Sequence, residues 1–141
     1  MHILDLANNT VTTLPDSNGI FWPRWSPNGR FIMGSERETL YVKLFDLKLQ
    51  RWTTLVRGWA IWPTWSRDSR FVYSPLWLGE AGRPGGQYRI PVAGGKPEFI
   101  GTGFATGGWY QCWYGLDPND NPLMMLDRST NEIYALTLER K

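Results

Sequence analysis

Catalysis by an activated nucleophile needs a base within reach of a hydroxyl or thiol. The chain offers one histidine, His2, near its first residue, and one cysteine, Cys112, inside the aromatic run Gly-Trp-Tyr-Gln-Cys-Trp-Tyr-Gly. A thiol in such company reads as buried rather than reactive. A single cysteine also excludes an internal disulfide and a zinc cage built from several thiolates. The glycine-rich stretch 101–108 resembles a phosphate loop, but Gly-x-Gly-x-x-Gly would need glycine where Thr106 stands, and no helical pattern follows. It reads as a linker. Asp117, Asn119 and Asn121 alternate like the start of a calcium loop, yet the positions that want Gly and Glu hold Pro122 and Arg128. A hairpin turn is the simpler reading. Glu36 and Glu38 flank a turn and read as solvated surface. There is no Gly-x-Ser-x-Gly elbow, and no motif marks the converging carboxylates of a glycosidase. The expectation is a protein with no catalytic residues, no cofactor and no metal.

Composition narrows the rest. With 141 residues, 42% of them hydrophobic and 15% aromatic, the chain has core material for one domain. Nine Trp, fifteen Gly and ten Pro lean toward all-β structure, because Gly and Pro interrupt helices and punctuate strands. A net charge of +2 is too balanced to imply nucleic acid. Apolar runs are only a few residues long, so no membrane span is expected. The first ten residues have neither the basic region nor the apolar stretch of a secretory leader.

The elements that position these residues are repeats. Residues 21–32, FWPRWSPNGRFI, return as residues 61–72, IWPTWSRDSRFV. Trp22/Trp62, Pro23/Pro63, Trp25/Trp65, Ser26/Ser66, Arg30/Arg70 and Phe31/Phe71 are identical. A degraded third copy, residues 113–125, aligns Trp113, Pro118 and Asn119 with Trp22, Pro27 and Asn28. A second motif, from Leu4 and again from Phe45, shares Asp5/Asp46, Leu6/Leu47, Thr12/Thr53, Thr13/Thr54 and Leu14/Leu55. Looser copies occupy 87–100 and 132–140. In the first full repeat the expected strands are about Ile20–Trp25, Arg30–Ser35, Thr39–Asp46 and Arg51–Leu55. Ser26-Pro27-Asn28-Gly29 is a tight turn, with Pro27 presetting φ and Gly29 free to turn left-handed. Ser69 stands where Gly29 does, so the second turn is expected to be strained.

Four short antiparallel strands repeating every forty to fifty residues describe a β-propeller blade. The expected divisions are 1–16 as the end of a preceding blade, 20–57 and 60–102 as full blades, and 108–140 as an incomplete last blade. The result is an open partial propeller of about three four-stranded antiparallel blades. Blades covered on both faces explain why neighbours such as Phe21 and Trp22 are both apolar.

On these residues the sequence resembles TolB-like propellers, a WD-repeat-like bacterial group. Pro23, Trp25, Ser26, Pro27, Gly29 and Arg30 match that family's repeat in the first copy, and Pro63, Trp65, Ser66, Asp68 and Arg70 match it in the second. Asn28 replaces the usual Asp, and Arg67 and Ser69 replace Pro and Gly. The closing stretch, 114–141, is similar to the ends of propeller regions in large bacterial sensory proteins. Those carry a winged-helix or kinase domain, often with a membrane span. The likeness implies the C-terminal piece of such a regulatory protein, periplasmic if the parent is membrane-anchored and otherwise cytoplasmic.

The expected function is a non-catalytic scaffold for protein recognition or sensing, with a carbohydrate-binding propeller as the alternative. The expected partner-binding loop lies within Ser74–Gly86 and comprises Leu76, Trp77, Leu78, Glu80 and Arg83, since an exposed Trp anchors interfaces well. The competing arrangement folds Trp77 back onto the blade edge. Trp22, Trp25, Trp62 and Trp65 are expected in the core, and Trp52 and Trp59 at the seams between blades. Three blades cannot close a ring. Apolar residues around Leu4, Leu14, Leu123 and Leu136 are therefore expected at open ends, to be covered by missing blades of a parent chain or by copies of the same chain.

Overall fold

The computed structural model describes residues 1–60, 62–78, 85–102 and 114–124. Every regular element among them is a strand, and every strand pairing is antiparallel. No helix among the described residues is long and apolar enough to cross a membrane. Strands β1 (His2–Asp5) and β2 (Thr10–Thr13) form a two-stranded sheet, and β3 (Ile20–Trp25), β4 (Phe31–Glu36), β5 (Val42–Asp46) and β6 (Arg51–Val56) form a four-stranded meander. A second meander holds β9 (Phe71–Trp77), β10 (Gly86–Pro91) and β11 (Glu98–Gly101). Its first strand is split into β7 (Trp59–Ala60) and β8 (Thr64–Trp65), both paired with β9. Strands β12 (Tyr114–Leu116) and β13 (Pro122–Met124) close the series as a hairpin.

The turns follow residue chemistry. In the first motif Ser26 Oγ donates to Asn28 Oδ1 at 2.8 Å and accepts the Phe31 N–H at 2.8 Å, and Asn28 Oδ1 accepts the Arg30 N–H at 3.0 Å. Ser66, Asp68, Phe71 and Arg70 repeat this network at 2.7, 2.9 and 2.9 Å. Gly29 has φ 72° and Ser69 φ 60°, so the expected left-handed position is present in both, and only Gly29 adopts it freely. In the third turn Asp117 takes the place of the serine. It accepts N–H groups from Asn119 at 2.7 Å and Asn121 at 2.8 Å.

The main core lies between the two meanders. Met33, Val42, Leu44 and Val56 come from the first; Ala60, Trp65, Val72, Leu76, Tyr88 and Ile90 come from the second. A fully enclosed side chain such as Met33 or Val42 contributes roughly 1.5–3 kcal/mol through removal of apolar surface from water. A smaller core joins Leu14 to Ile32 and Phe45, with Met1, Ile3, Leu47 and Trp52 packed against it. Leu14 is therefore buried, a correction to its expected exposure: the segment after β2 folds across the first meander. The neighbouring expectation fares differently, since Leu4 is 50% exposed and Leu123 is also exposed. Leu136 lies outside the described residues.

Candidate recognition site

The sequence Trp-Pro recurs in the first strand of both meanders, and proline removes a ladder N–H. Both strands answer with the same irregularity. Phe21 pairs with Ser35 and Arg24 with Met33, so Trp22 and Pro23 oppose Gly34 alone. In the second meander Ala60 pairs with Leu76 and Thr64 with Tyr73, again one residue in excess. An extra residue bends a strand and re-aims side chains. Trp22 and Trp62 accordingly take φ 53° and 51°, a region costly for bulky residues. Gly34 accommodates the bulge: a Cβ there would meet Ile20 Cγ2 at 2.5 Å and the Phe21 carbonyl oxygen at 3.1 Å.

The bulge overturns part of the expected core. Trp22 is 38% exposed, and its indole stacks on that of half-buried Trp62, with centroids 5.6 Å apart and planes 17° apart. Phe21 lies tilted beside it, its centroid 4.8 Å from that of Trp22. Trp25 is 50% exposed, whereas its counterpart Trp65 is enclosed against Phe31, as expected of a core residue. Pro23 and Arg24 are exposed as well, so four consecutive residues, 22–25, bring two indoles, a proline and a guanidinium to solvent. The repeated Trp-Pro dipeptide was the sequence signal for this surface.

The expected loop is built differently. Strand β9 runs through Leu76 and Trp77, so only the residues beyond it connect to β10. Leu76 is fully buried and Leu78 packs against the main core. Trp77 pairs with Trp59 across the strands, ring centroids 5.2 Å apart, and its indole closes so tightly over Gly85 that a Cβ there would meet Nε1 at 2.4 Å. The competing arrangement, with Trp77 folded onto the sheet edge, is the one present. Glu80 and Arg83 lie outside the described residues, as do Cys112, Trp113 and most of the 101–108 stretch.

Charged groups near the repeats are bound into the turns. The Asp68 carboxyl is held down at about 2 by the Arg70 N–H first and then the Ser66 hydroxyl, with the Arg70 guanidinium adding to both. Arg30 holds the Asp46 carboxyl below the usual range, aided by the Leu49 and Lys48 N–H groups. The Asn121 side-chain amide does the same for Asp117. Glu36 is lowered chiefly by the Thr39 hydroxyl, and then by Lys43 at 3.3 Å. A cleft of about 560 Å³ between the meanders is lined by Arg30, Arg51 and Arg70. Two of these guanidiniums already face carboxylates, Arg30 on Asp46 and Arg70 on Asp68, and both lie over phenylalanine rings. His2 Nδ1 is 3.0 Å from Thr13 Oγ1 in the first hairpin. Among the described residues, no three His, Cys, Asp or Glu side chains gather as a metal site would require.

No protein-family model matches the chain, and no curated protein matches it.

Proposed function

We propose that the chain is a run of β-propeller blades acting as a non-catalytic scaffold for protein recognition, within a larger regulatory assembly. The blade reading is supported by two consecutive antiparallel meanders that share a core. It is supported also by their repeated turns. The recognition reading rests on one observation: the exposed surface Trp22-Pro23-Arg24-Trp25, carried on a bulge with Trp22 at φ 53°. Trp and Arg dominate interface hot spots, and strained backbone at an exposed site is held where a protein uses it. The carboxylates at the turns stay ionised and hydrogen-bonded in place, which suits a scaffold better than acid–base work.

A photo-cross-linking residue at position 24 tests the reading in cell extract. Expected are protein adducts that disappear when Trp22→Ala is added, read at a temperature where both proteins are folded, since the variant also loses the stack on Trp62. Binding on a glycan array that is lost with Trp25→Ala, without Trp22-dependent protein adducts, would favour the sugar-binding alternative instead.

A further inference from the structure

The seam between the two meanders is complete, and the seam before the first meander is half built. Across the complete seam Trp65 Nε1 donates to the Arg24 carbonyl at 3.1 Å, Trp65 stacks on Phe31, and Trp62 stacks on Trp22. Across the other seam the contacts come from Met1, Ile3 and the segment after β2. Leu14 packs on Ile32 and Phe45, and Trp52 Nε1 donates to the Pro15 carbonyl at 2.8 Å. Trp25, the counterpart of Trp65, keeps half its surface in solvent and donates to the carbonyl of its own turn, Gly29, at 3.0 Å.

The repeat identifies what fits there. Asp5 corresponds to Asp46, so β1 corresponds to β5. Strand β5 has β4 on one edge and β6 on the other, whereas β1 pairs with β2 and with no other strand among the described residues. Counterparts of β3 and β4 would complete this sheet, and β12–β13 is such a hairpin. Its pairs Leu116↔Pro122 and Gly115↔Leu123 correspond to Trp25↔Ile32 and Arg24↔Met33 around a turn one residue shorter. It docks on the second meander through its turn, the Arg67 N–H donating to Asp120 Oδ1 at 3.1 Å and Arg67 Nη1 to the Pro118 carbonyl at 2.6 Å. This parallels the bond from the Asn28 N–H to Ser69 Oγ at 3.1 Å across the complete seam.

We propose that the β12–β13 hairpin of a second copy of this chain pairs with β1. It would complete a four-stranded sheet, cover Trp25, and place the Gly115 carbonyl where Arg24 stands in the complete seam. The inference rests on the blade reading, and two copies would then supply about six sheets, within the roughly four to eight of closed propellers. The occupant is a copy of the chain because the seam it would extend already exists between the chain's own repeats.

Light scattering on the full chain tests this, with photo-leucine at Leu4 in a mixture of isotopically light and heavy protein. Expected are a mass about twice 16.3 kDa and mixed-isotope adducts between Leu4 and residues 122–124. Trp25→Glu should return the monomer with its strand signal intact, because Trp25 is exposed in the single chain. A monomer at every concentration overturns the proposal, as does a dimer indifferent to Trp25→Glu. Leu4 adducts confined to one isotope would show the chain filling its own edge, and also overturn it. Protein recognition is read separately, as Trp22-dependent adducts at position 24 to proteins other than this chain, so either idea can fail while the other stands.

Discussion

Trp65 and Trp25 occupy the same place in successive repeats, yet only Trp65 reaches across a seam. Its indole N–H meets the carbonyl of Arg24, forty-one residues earlier, while that of Trp25 returns to Gly29. The same residue type therefore does different work according to what covers it. Trp65→Phe should cost about 1–2 kcal/mol, through the lost hydrogen bond and an imperfectly filled seam. Trp25→Phe should stay within about 0.5 kcal/mol in the monomer. Urea denaturation of the two variants checks the contrast.

Ser69 carries a left-handed backbone at φ 60°, and its hydroxyl accepts the Asn28 N–H at 3.1 Å. Ser69→Gly relieves the backbone and loses the bond, two effects of about 1 kcal/mol that nearly cancel. Ser69→Ala keeps the backbone cost and loses the bond, so it should be the less stable variant by about 1 kcal/mol or more. Thermal melts of the three proteins give the order, with the alanine variant lowest.

Much of this was legible beforehand. Strand β3 covers the expected Ile20–Trp25, and the turns at 26–29 and 66–69 follow from Ser, Pro, Asn and Gly at fixed offsets. Ser69 was expected to be strained, but the hydroxyl that makes serine useful there comes into view only when the two turns are side by side. The exposure of Trp22 and Trp25 was missed for two separate reasons. A Trp-Pro bulge turns Trp22 out of the sheet, and Trp25 has the right neighbours in sequence but no covering strand in space. For Trp77 the sequence leaves two places open, an exposed loop over 74–86 or the blade edge; Pro75 pairs with Gln87 inside β9–β10, and that extended strand carries Trp77 to the edge.

The packing of Trp77 against Trp59 and over Gly85 changes what its truncation should do. Trp77→Ala removes a half-buried indole from the end of the second meander and should destabilise it by about 2–3 kcal/mol. A binding loop over 74–86 would instead have the fold unchanged and partner affinity reduced. Comparing melting temperature with adduct yield at position 24 separates the two.

The Asp68 carboxyl titrates at about 2 in the folded chain against an ordinary 3.8, held by the Arg70 N–H and the Ser66 hydroxyl. Its folded-state pKa is depressed, so its contribution is fully present above pH 3.8 and is lost as the pH falls toward about 2. Asp68→Asn should preserve the turn, since Asn28 Oδ1 makes the same two contacts in the first repeat. The variant keeps those two contacts but loses the carboxylate's pairing with the Arg70 guanidinium, so it should be less stable than the parent near neutrality, change little with pH, and converge with the parent in acid. Carboxyl NMR titration and acid unfolding of both proteins provide the check.

The stacked indoles of Trp22 and Trp62, 5.6 Å apart, also give the chain an optical property. Electronic transitions on rings this close couple, and a coupled pair in a chiral frame produces a two-signed band in far-ultraviolet circular dichroism. One ring belongs to each meander, so this pair's share of the band exists only while the two are in register. That share would fade when the meanders slip apart even if every strand survived, and replacing either tryptophan by phenylalanine would remove it, leaving the share of Trp59 and Trp77, 5.2 Å apart within the second meander.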